Sequence, residues 1–354
     1  MSGVDAMNTI DQEELRDAAR RLLTDKVDRR APWGEGEADG RALVRDMVEL
    51  GWHLLTAPEE LGGLGQSFTA LAPIYEEMGR ALAPATLADT MAALDVISLD
   101  DSVAGAALRD RLIEGSAHIV VAECGSLGPR IDTTFPLLEG GLAATHLLLL
   151  PTAAEESCGI VDLGREGVTA TPVETWDRSR SFAELALHDA PCERLQVTGG
   201  VAIPLVRAHK DLAMAWDSLG AARRSLDETV TYMGTRQQFG RPIGSFQALK
   251  HRAADHKVTL ELARALAVHA SQAYALRDGA WSDLAAQARL LATDAFHAIT
   301  EDSVQMHGGI GFTWEFDCHL FLKRALMSDI LNGAPELVRD RISSSVIARA
   351  LRRE

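Results

Sequence analysis

The chain has 354 residues, a length that predicts two or three structural units rather than one. Hydrophobic residues make up 47% and charged residues 24%, which is typical of a globular protein, and the low aromatic share with abundant alanine favours helices. The formal net charge of −16 argues against a nucleic-acid-binding or anionic-membrane-binding protein, because both partners attract basic surfaces.

The sequence shows no signal for membrane insertion, secretion or metal binding. The longest apolar run, residues 147–151, is far too short to span a bilayer. The first 20 residues contain acids but no apolar stretch of the kind a signal peptide needs. The four cysteines are scattered without C-x-x-C spacing, so they predict neither a zinc site nor a disulfide framework. We therefore expect a cytoplasmic protein without a bound metal.

Hydrophobic periodicity divides the chain into three zones. In the first, Leu43, Met47 and Leu50 share one helical face, and residues 69–82 form a second amphipathic helix after a glycine-rich turn at residues 58–65. The second zone consists of short apolar runs bounded by Gly, Pro or Asp, which predict strands. These runs are residues 118–123, 146–150 and 158–163, and residues 182–187 show the alternation that is also typical of a strand.

The third zone returns to a strong helical period. Apolar residues step by three or four through residues 212–233, 258–266 and 284–299, which predicts long amphipathic helices packed as a four-helix bundle. The sequence therefore predicts a mainly α protein with a small β-domain. The expected divisions are an N-terminal helical domain (residues 1–116), a central β-domain (117–200) and a C-terminal four-helix bundle (201–354).

The densest motif is Thr-Arg-Gln-Gln-Phe-Gly-Arg-Pro-Ile-Gly at residues 235–244, followed by Phe246 and Gln247. Gly240 and Pro242 end the preceding helix and leave Arg236 near its C-terminus. A planar guanidinium there suits a bidentate contact to phosphate. It equally suits neutralisation of the helix C-terminus, and local chemistry alone favours that second interpretation.

A second motif, Gln-Met-His-Gly-Gly-Ile-Gly-Phe, occupies residues 305–312. Paired glycines after a long helix let the backbone approach a ligand closely, although a helix C-cap followed by a turn explains them as well. His307 is a conceivable general base, but a histidine beside a glycine cap more often has a structural role.

Adjacent charged residues carry less information. Neighbours on a helix do not face each other, so Glu76 and Glu77, like residues 59–60, are expected to be solvated surface rather than acid–base pairs. Lys323 and Arg324 are likewise expected on the surface. The chain contains no G-x-G-x-x-G after a strand, no Walker A motif and no G-x-S-x-G, so nucleotide-fold and serine-hydrolase classes lack support.

Taken together, these motifs resemble those of the acyl-CoA dehydrogenase family. Residues 58–65 with 76–80 are similar to its N-terminal signature, and residues 235–247 and 305–315 are similar to its two C-terminal signatures. The resemblance implies α,β-desaturation of an acyl-CoA thioester. A glutamate takes the α proton and the β hydrogen leaves as hydride to FAD. The metal-free, FAD-dependent site of the family lies across a subunit interface.

The family pattern assigns cofactor contacts to this chain by matching positions, which reach the diphosphate and adenosine half of a partner's flavin. These residues are Arg236, Gln238, Phe239, Gln247, Gln305, Met306, His307, Gly308 and Gly309.

The chain differs from the family pattern at the position of the catalytic base. Asn332 stands where the family has its usual glutamate, and an amide cannot take up the proton. Some members carry the base at the start of the helix that precedes the Thr-Arg motif; this chain has Lys210 and Asp211 there. Asp211 is a weak fallback, because its carboxylate is shorter and one residue out of register. No catalytic residue is therefore assigned.

The central zone departs as well. Residues 122–128, Ala-Glu-Cys-Gly-Ser-Leu-Gly, replace a Thr-Glu-Pro-Gly-type loop, and no Trp-Ile-Ser segment follows. The half of the site that holds the flavin ring is altered, whereas the half that serves a partner's flavin is kept. The chain thus resembles the shorter subunit of bacterial α2β2 acyl-CoA dehydrogenases that act on steroid side chains, whose partner subunit would supply the base.

Two other interpretations stay open at this point. One is a self-sufficient homomeric dehydrogenase or oxidase with a displaced base, for which Asp211 and Glu336 are candidates. The other is a non-enzymatic binding or scaffold protein on the same fold. The acyl group, the partner and the electron acceptor are not specified by the sequence; an electron-transfer flavoprotein is the acceptor that the family implies.

Overall fold

The structure is a computed structural model, which describes residues 10–33, 40–84 and 87–351. The first nine residues, on which the expected absence of a signal peptide partly depends, lie outside these ranges. The chain divides into two compact units. Unit 1 comprises residues 1–14, 28–71 and 83–210, and unit 2 comprises residues 15–27, 72–82 and 211–354.

Helices dominate both ends of the chain. They are α1 (Gln12–Lys26), α2 (Gly40–Glu49), α3 (Ala72–Ala81), α4 (Ala88–Ile97), α5 (Val103–Ile113), α6 (Gly199–Thr235), α7 (Gln247–Leu276), α8 (Trp281–His307), α9 (Cys318–Ile330) and α10 (Pro335–Leu351). Short 3₁₀ turns join several of them. Within the described ranges, no helix is both long and apolar enough to cross a membrane.

The strands all precede α6 except for one short ribbon. They are β1 (Ile119–Cys124), β2 (Arg130–Glu139), β3 (His146–Pro151), β4 (Ser157–Asp162), β5 (Val168–Val173), β6 (Phe182–Pro191), β7 (Glu193–Thr198), β8 (Gln237–Gln238) and β9 (Arg241–Pro242). The mainly α fold with a small central β region, expected from the sequence, is confirmed. The proposed domain boundaries themselves stay predictions.

The β region of unit 1 is built from two sheets. One has the strand order β1-β3-β4-β7, with β1 and β3 parallel, and the other has the order β2-β6-β5. Their buried faces share one apolar cluster that includes Leu147, Leu149, Val161, Leu185 and Leu187. The four predicted strands are confirmed as β1, β3, β4 and β6. The sequence did not reveal β2, β5 and β7, because their residues are mostly exposed or half-buried and form no continuous apolar run.

In unit 2 the backbones of α3 and α6 touch. A Cβ atom at Gly79 would lie 1.8 Å from the carbonyl oxygen of Asp217, and one at Gly220 would lie 1.8 Å from the carbonyl oxygen of Glu76. Two glycines, one from each helix, therefore make the crossing possible. The C-terminal helical region continues with α8, which packs against α7, α9 and α10.

Glu76 and Glu77 are not solvated, contrary to expectation. Each is 3% exposed, and both carboxylates bind arginines of unit 2. Arg16 lies 2.6 Å from Glu76, and Arg20 lies 2.8 Å from Glu77. Arg264 also donates a hydrogen bond to Glu76. Buried carboxylates need such partners, and these come from helices distant in the sequence.

Arg324 is a third charged residue that the sequence placed wrongly on the surface. It is 3% exposed, and its Nη2 donates to Asp217 Oδ1 at 2.6 Å. Leu50 is the converse error, since it is 53% exposed. Because α2 ends at Glu49, the helical period that buries Leu43 and Met47 no longer directs its side chain.

The face of α7 was also assigned wrongly. Val258 and Leu262 are 60% and 62% exposed, although their spacing predicted the buried face. The helix instead buries a face lined mainly with alanines, whose weak apolar signal was hidden by larger neighbours. The buried residues include Leu260, Ala263, Ala267 and Ala270.

Candidate functional site

The two C-terminal motifs meet in unit 2. Met233 near the end of α6, Ile243 after β9 and Met306 near the end of α8 form one buried apolar cluster, with Phe246 packed against it. Met306 is therefore a core residue, 7% exposed. The cluster joins the segment around Arg236 to the segment around Gly308, so residues 72 positions apart in the sequence share one surface.

The first motif forms a two-stranded ribbon after α6. Gln237 pairs with Pro242 and Gln238 with Arg241, and the turn between them is made by Phe239 and Gly240. Both turn residues have positive φ, +53° and +77°, as a type I′ turn requires. Phe239 is thus held in a left-handed conformation that disfavours its side chain, and it is 90% exposed.

Arg236 lies directly between α6 and this ribbon. Its amide closes the last turn of α6 on Tyr232, and its carbonyl accepts from the amide of Ile243 at 2.8 Å. The side chain is exposed, as are those of Gln238, Gln247 and Gln305. Within residues 10–33, 40–84 and 87–351, the Arg236 guanidinium forms no ion pair. It could therefore bind an external anion, and its position also suits the helix C-terminus.

In the second motif, Gly308 and Gly309 are exposed and His307 is buried. Gly308 has φ +67° and ψ −148°, a conformation that is essentially restricted to glycine. A Cβ atom at Gly308 or Gly309 would meet nothing within 4 Å. Hence Gly308 is required by its backbone conformation. Gly309 is required neither by a positive φ nor by packing, which leaves close approach by a ligand as a reason for it.

His307 is 6% exposed and faces inwards. Its Nδ1 donates to the carbonyl oxygen of Ser303 at 2.6 Å, and burial lowers its pKa. The ring is therefore a neutral structural group, and contact with a ligand would have to use its backbone.

Tyr232 and Phe316, which the sequence analysis missed, hold His307 in place. The Tyr232 ring stacks on the imidazole with centroids 4.2 Å apart, and its hydroxyl donates to the His307 carbonyl at 3.4 Å. Phe316 lies against both rings, at 5.1 Å and 5.0 Å. These aromatic contacts fix the backbone that enters Gly308. An aromatic residue four positions before Arg236 was the only sequence signal for this.

The two candidate base positions are linked by one arginine. Arg289, 1% exposed, donates to the carbonyl oxygens of Leu331 and Gly333, on either side of Asn332. Its Nε also lies 3.3 Å from Asp211 Oδ1, without hydrogen-bond geometry. The other oxygen of Asp211 lies 3.3 Å from Arg341. Asp211 is therefore buried in a structural ion pair, which does not suit a general base.

Asn332 itself is exposed at the tip of this turn, with φ +62°. Asparagine tolerates the left-handed region better than most residues. The third candidate, Glu336, is exposed in the first turn of α10.

In unit 1, the polar groups of the loop after β1 are used internally. The Leu127 amide donates to Glu156 Oε1 at 2.7 Å, and the Leu127 carbonyl accepts from Arg194 at 2.6 Å. The Cys124 carbonyl accepts from the amide of Thr152 at 3.0 Å. Leu127 and Cys124 are thus tied to neighbouring segments of unit 1, whereas Gly125 and Ser126 between them are exposed.

Comparison with protein families agrees with the motifs. Residues 9–99 match the acyl-CoA dehydrogenase N-terminal domain, and residues 208–347 match the acyl-CoA dehydrogenase C-terminal domain. The chain belongs to the acyl-CoA dehydrogenase family. The resemblance inferred from three short motifs is therefore confirmed over both helical parts of the chain.

Two curated relatives from Mycobacterium tuberculosis are similar to this acyl-CoA dehydrogenase. Acyl-CoA dehydrogenase IpdE2 is 35% identical over 299 residues, which cover 84% of each chain. Acyl-CoA dehydrogenase FadE34 is 35% identical over 302 residues, which cover 82% of this chain but 40% of FadE34. The chain thus spans less than half of one relative and most of the other.

Two solved structures have the same fold. A variant of the Tcur3481-Tcur3483 steroid ACAD is 26% identical, with a TM-score of 0.85 over 96% of this chain and 98% of that one. The ChsE4-ChsE5 complex of Mycobacterium tuberculosis is 24% identical, with a TM-score of 0.84 over 97% and 99%. The second likeness establishes the fold alone.

FAD is the cofactor of acyl-CoA dehydrogenases, as expected from the motifs, and the surface of unit 2 fits part of it. The open side of Gly308 and Gly309 leaves room for a ligand against the backbone. Arg236 supplies an exposed cation beside the ribbon, suited to a diphosphate.

Proposed function

We propose that this chain is one subunit of a heteromeric FAD-dependent acyl-CoA dehydrogenase, in which the partner subunit supplies the catalytic base. The chain would serve the diphosphate and adenosine half of a flavin whose ring is held by the partner. Arg236, Gln238, Phe239, Gln247, Gln305 and the backbone of residues 306–309 are the proposed contacts.

The observation that carries this proposal is the difference between the two half-sites. In unit 2, Arg236 is exposed and Gly309 is open although nothing in the fold requires a glycine there. In unit 1, the loop that would face the flavin ring uses Leu127 and Cys124 in internal hydrogen bonds. The half-site in unit 2 is thus open to a ligand, whereas part of the loop in unit 1 is held by internal hydrogen bonds.

The two positions at which the family pattern would place a base, Asn332 and Asp211, also support a base supplied by the partner. Asn332 cannot accept the α proton, and Asp211 is held between Arg289 and Arg341. When FAD is bound, it accepts the β hydrogen as hydride. This chain's part would be to hold the diphosphate, through the Arg236 guanidinium and the backbone amides near Gly309, and so to fix the cofactor's position.

We further propose an acyl-CoA linked to a steroid as the substrate. The 26% identical solved relative is named a steroid ACAD, which supports this class. An α2β2 assembly and an electron-transfer flavoprotein as electron acceptor complete the proposal, together with a cytoplasmic location. All four cysteines are free thiols, which suits a reducing compartment.

The deciding experiment measures flavin absorbance per protein chain, first for the chain purified alone and then for the chain co-expressed with a longer relative whose catalytic glutamate is intact. We expect little flavin in the lone chain and about one flavin per pair of chains in the complex. Near-stoichiometric flavin in the lone chain would overturn the proposal in favour of a homomeric enzyme.

A second experiment locates the base. Replacing the partner's glutamate with glutamine should abolish turnover and leave flavin bound, whereas Glu336→Gln in this chain should leave turnover unchanged. Loss of turnover in Glu336→Gln with an intact flavin spectrum would instead assign the base to this chain.

A further inference from the structure

Arg241 lies on the same surface as Arg236 and has no assigned role. The Ile243 amide donates to the Arg236 carbonyl, so the ladder of the β8–β9 ribbon extends to Arg236. Gln238 pairs directly with Arg241. Directly paired residues point to the same side of an antiparallel ribbon, so Gln238 and Arg241 share one face. Arg236 lies at the base of the same ribbon, two residues before Gln238, and is exposed like Arg241.

The Arg241 guanidinium is also oriented in advance. Its Cζ atom lies 4.2 Å from the centre of the Phe246 ring, a cation–π contact that leaves the N–H edge free to donate. Phe246 packs against the buried cluster of Met233, Ile243 and Met306, so the platform under Arg241 is fixed by the core.

The sequence around Arg236 and Arg241 is basic and lacks acidic residues. Residues 236–254 contain Arg236, Arg241, Lys250 and Arg252 without a single Asp or Glu, in a chain whose net charge is −16. Arg252 is paired with Asp302, its Nε 2.9 Å from Oδ2. In the part of the chain that the structure describes, Arg236 and Arg241 form no ion pair. Two like charges on one short ribbon repel each other unless an anion lies between them.

We propose that Arg241 is the second arginine of a diphosphate clamp whose first arginine is Arg236. The inference rests on the proposed function and deepens it, since it names a further contact to the dinucleotide. Each guanidinium would bind one phosphate of the diphosphate, and the Gln238 amide between them can donate to a bridging or terminal oxygen. The clamp would thus recognise the diphosphate rather than the flavin ring.

The test uses the complex with the partner subunit and measures the Kd of FAD by quenching of flavin fluorescence, with ADP and adenosine as competitors. Arg241→Gln should weaken FAD and ADP by about tenfold and leave adenosine unchanged, because adenosine lacks the diphosphate. Arg241→Lys keeps the charge but lacks the planar guanidinium. Its Kd for FAD should therefore lie between those of the parent and of Arg241→Gln.

Arg252→Gln is the matched control. It removes the same charge 11 positions away, but from an arginine already paired with Asp302, so the Kd of FAD should stay within about twofold of the parent. The clamp is overturned if Arg241→Gln behaves like this control, or if it weakens adenosine as much as ADP.

Arg236→Ala separates failure of the clamp from failure of the proposed function. If Arg236→Ala weakens FAD and Arg241→Gln does not, only the clamp is wrong. If neither variant changes the Kd of FAD, the assignment of this surface to the cofactor is wrong as well.

Discussion

Arg289 and Asp211 form a buried ion pair in unit 2, with Nε 3.3 Å from Oδ1 and both residues at most 2% exposed. The same guanidinium holds the carbonyl groups on both sides of Asn332. The two positions at which the family pattern would place a base are therefore parts of one structural unit, in which Asp211 serves as the counter-charge of an arginine.

Asp211→Asn should destabilise the protein rather than remove a base. The substitution leaves Arg289 buried without a full counter-charge, which typically costs about 3–5 kcal/mol. Urea denaturation would measure the free energy of unfolding. Asp294→Asn is the control, since Asp294 pairs with Arg339 at 3.1 Å with both side chains half exposed, and it should cost no more than about 1 kcal/mol. A stable Asp211→Asn variant that has lost turnover would contradict this interpretation.

The glycine pair after α8 offers a sharper comparison. Gly308→Ala should destabilise the fold by about 1–3 kcal/mol, because only glycine adopts its backbone conformation readily. Gly309→Ala should leave the free energy of unfolding nearly unchanged, since its Cβ would meet nothing within 4 Å. Yet in the complex with the partner it should weaken FAD binding, measured as the Kd of FAD. Unchanged flavin affinity in Gly309→Ala would show that no ligand approaches this glycine.

The crossing of α3 and α6 predicts opposite effects at two helical glycines. Gly79→Ala would place a Cβ atom 1.8 Å from the Asp217 carbonyl oxygen, which forces the two backbones apart and should cost at least about 1–3 kcal/mol. Gly234→Ala, near the end of α6, would meet nothing within 4 Å. It should stabilise the protein by about 0.5–1 kcal/mol. Thermal unfolding of both variants compares them directly, and equal melting temperatures would refute the close crossing.

The sequence predicted features that depend on neighbouring residues, but not features that depend on residues far apart in the chain. The strands β1, β3, β4 and β6 were predictable because each has an apolar run or an alternation that signals itself locally. The burial of Glu76 and of Arg324 was not, because their partners, Arg16, Arg264 and Asp217, lie on other helices. Charge pairing over such distances leaves no local pattern.

The candidate site shows the same limit. Arg236 and Gly309 could be predicted as site residues because their motifs are short and contiguous. The role of Tyr232 in holding His307 depends on a packing contact across 75 positions, and the closure of the loop at Leu127 depends on Glu156 and Arg194. Only the folded chain brings these groups together. The sequence could name the surface but not what positions it.

His307 predicts a pH dependence of stability. Burial lowers its pKa below the ordinary value of 6.5, so the folded state favours the neutral ring and binds fewer protons than the unfolded state. Its contribution to stability is complete above about pH 6.5 and is lost as the pH falls below that value. Burial lowers the pKa of His53, His118 and His146 as well, so the test compares two proteins instead of using one curve.

His307→Gln removes this one titration and keeps the other three. Urea denaturation at about pH 7.5 and about pH 5.5 gives the loss of stability on acidification for each protein. The parent should lose more than His307→Gln does, although the variant is less stable at the higher pH because it lacks the ring that stacks on Tyr232. Equal losses in the two proteins would mean that the imidazole carries the same charge in the folded and unfolded states. In that case the ring beside Gly308 is not the neutral structural group inferred from its burial.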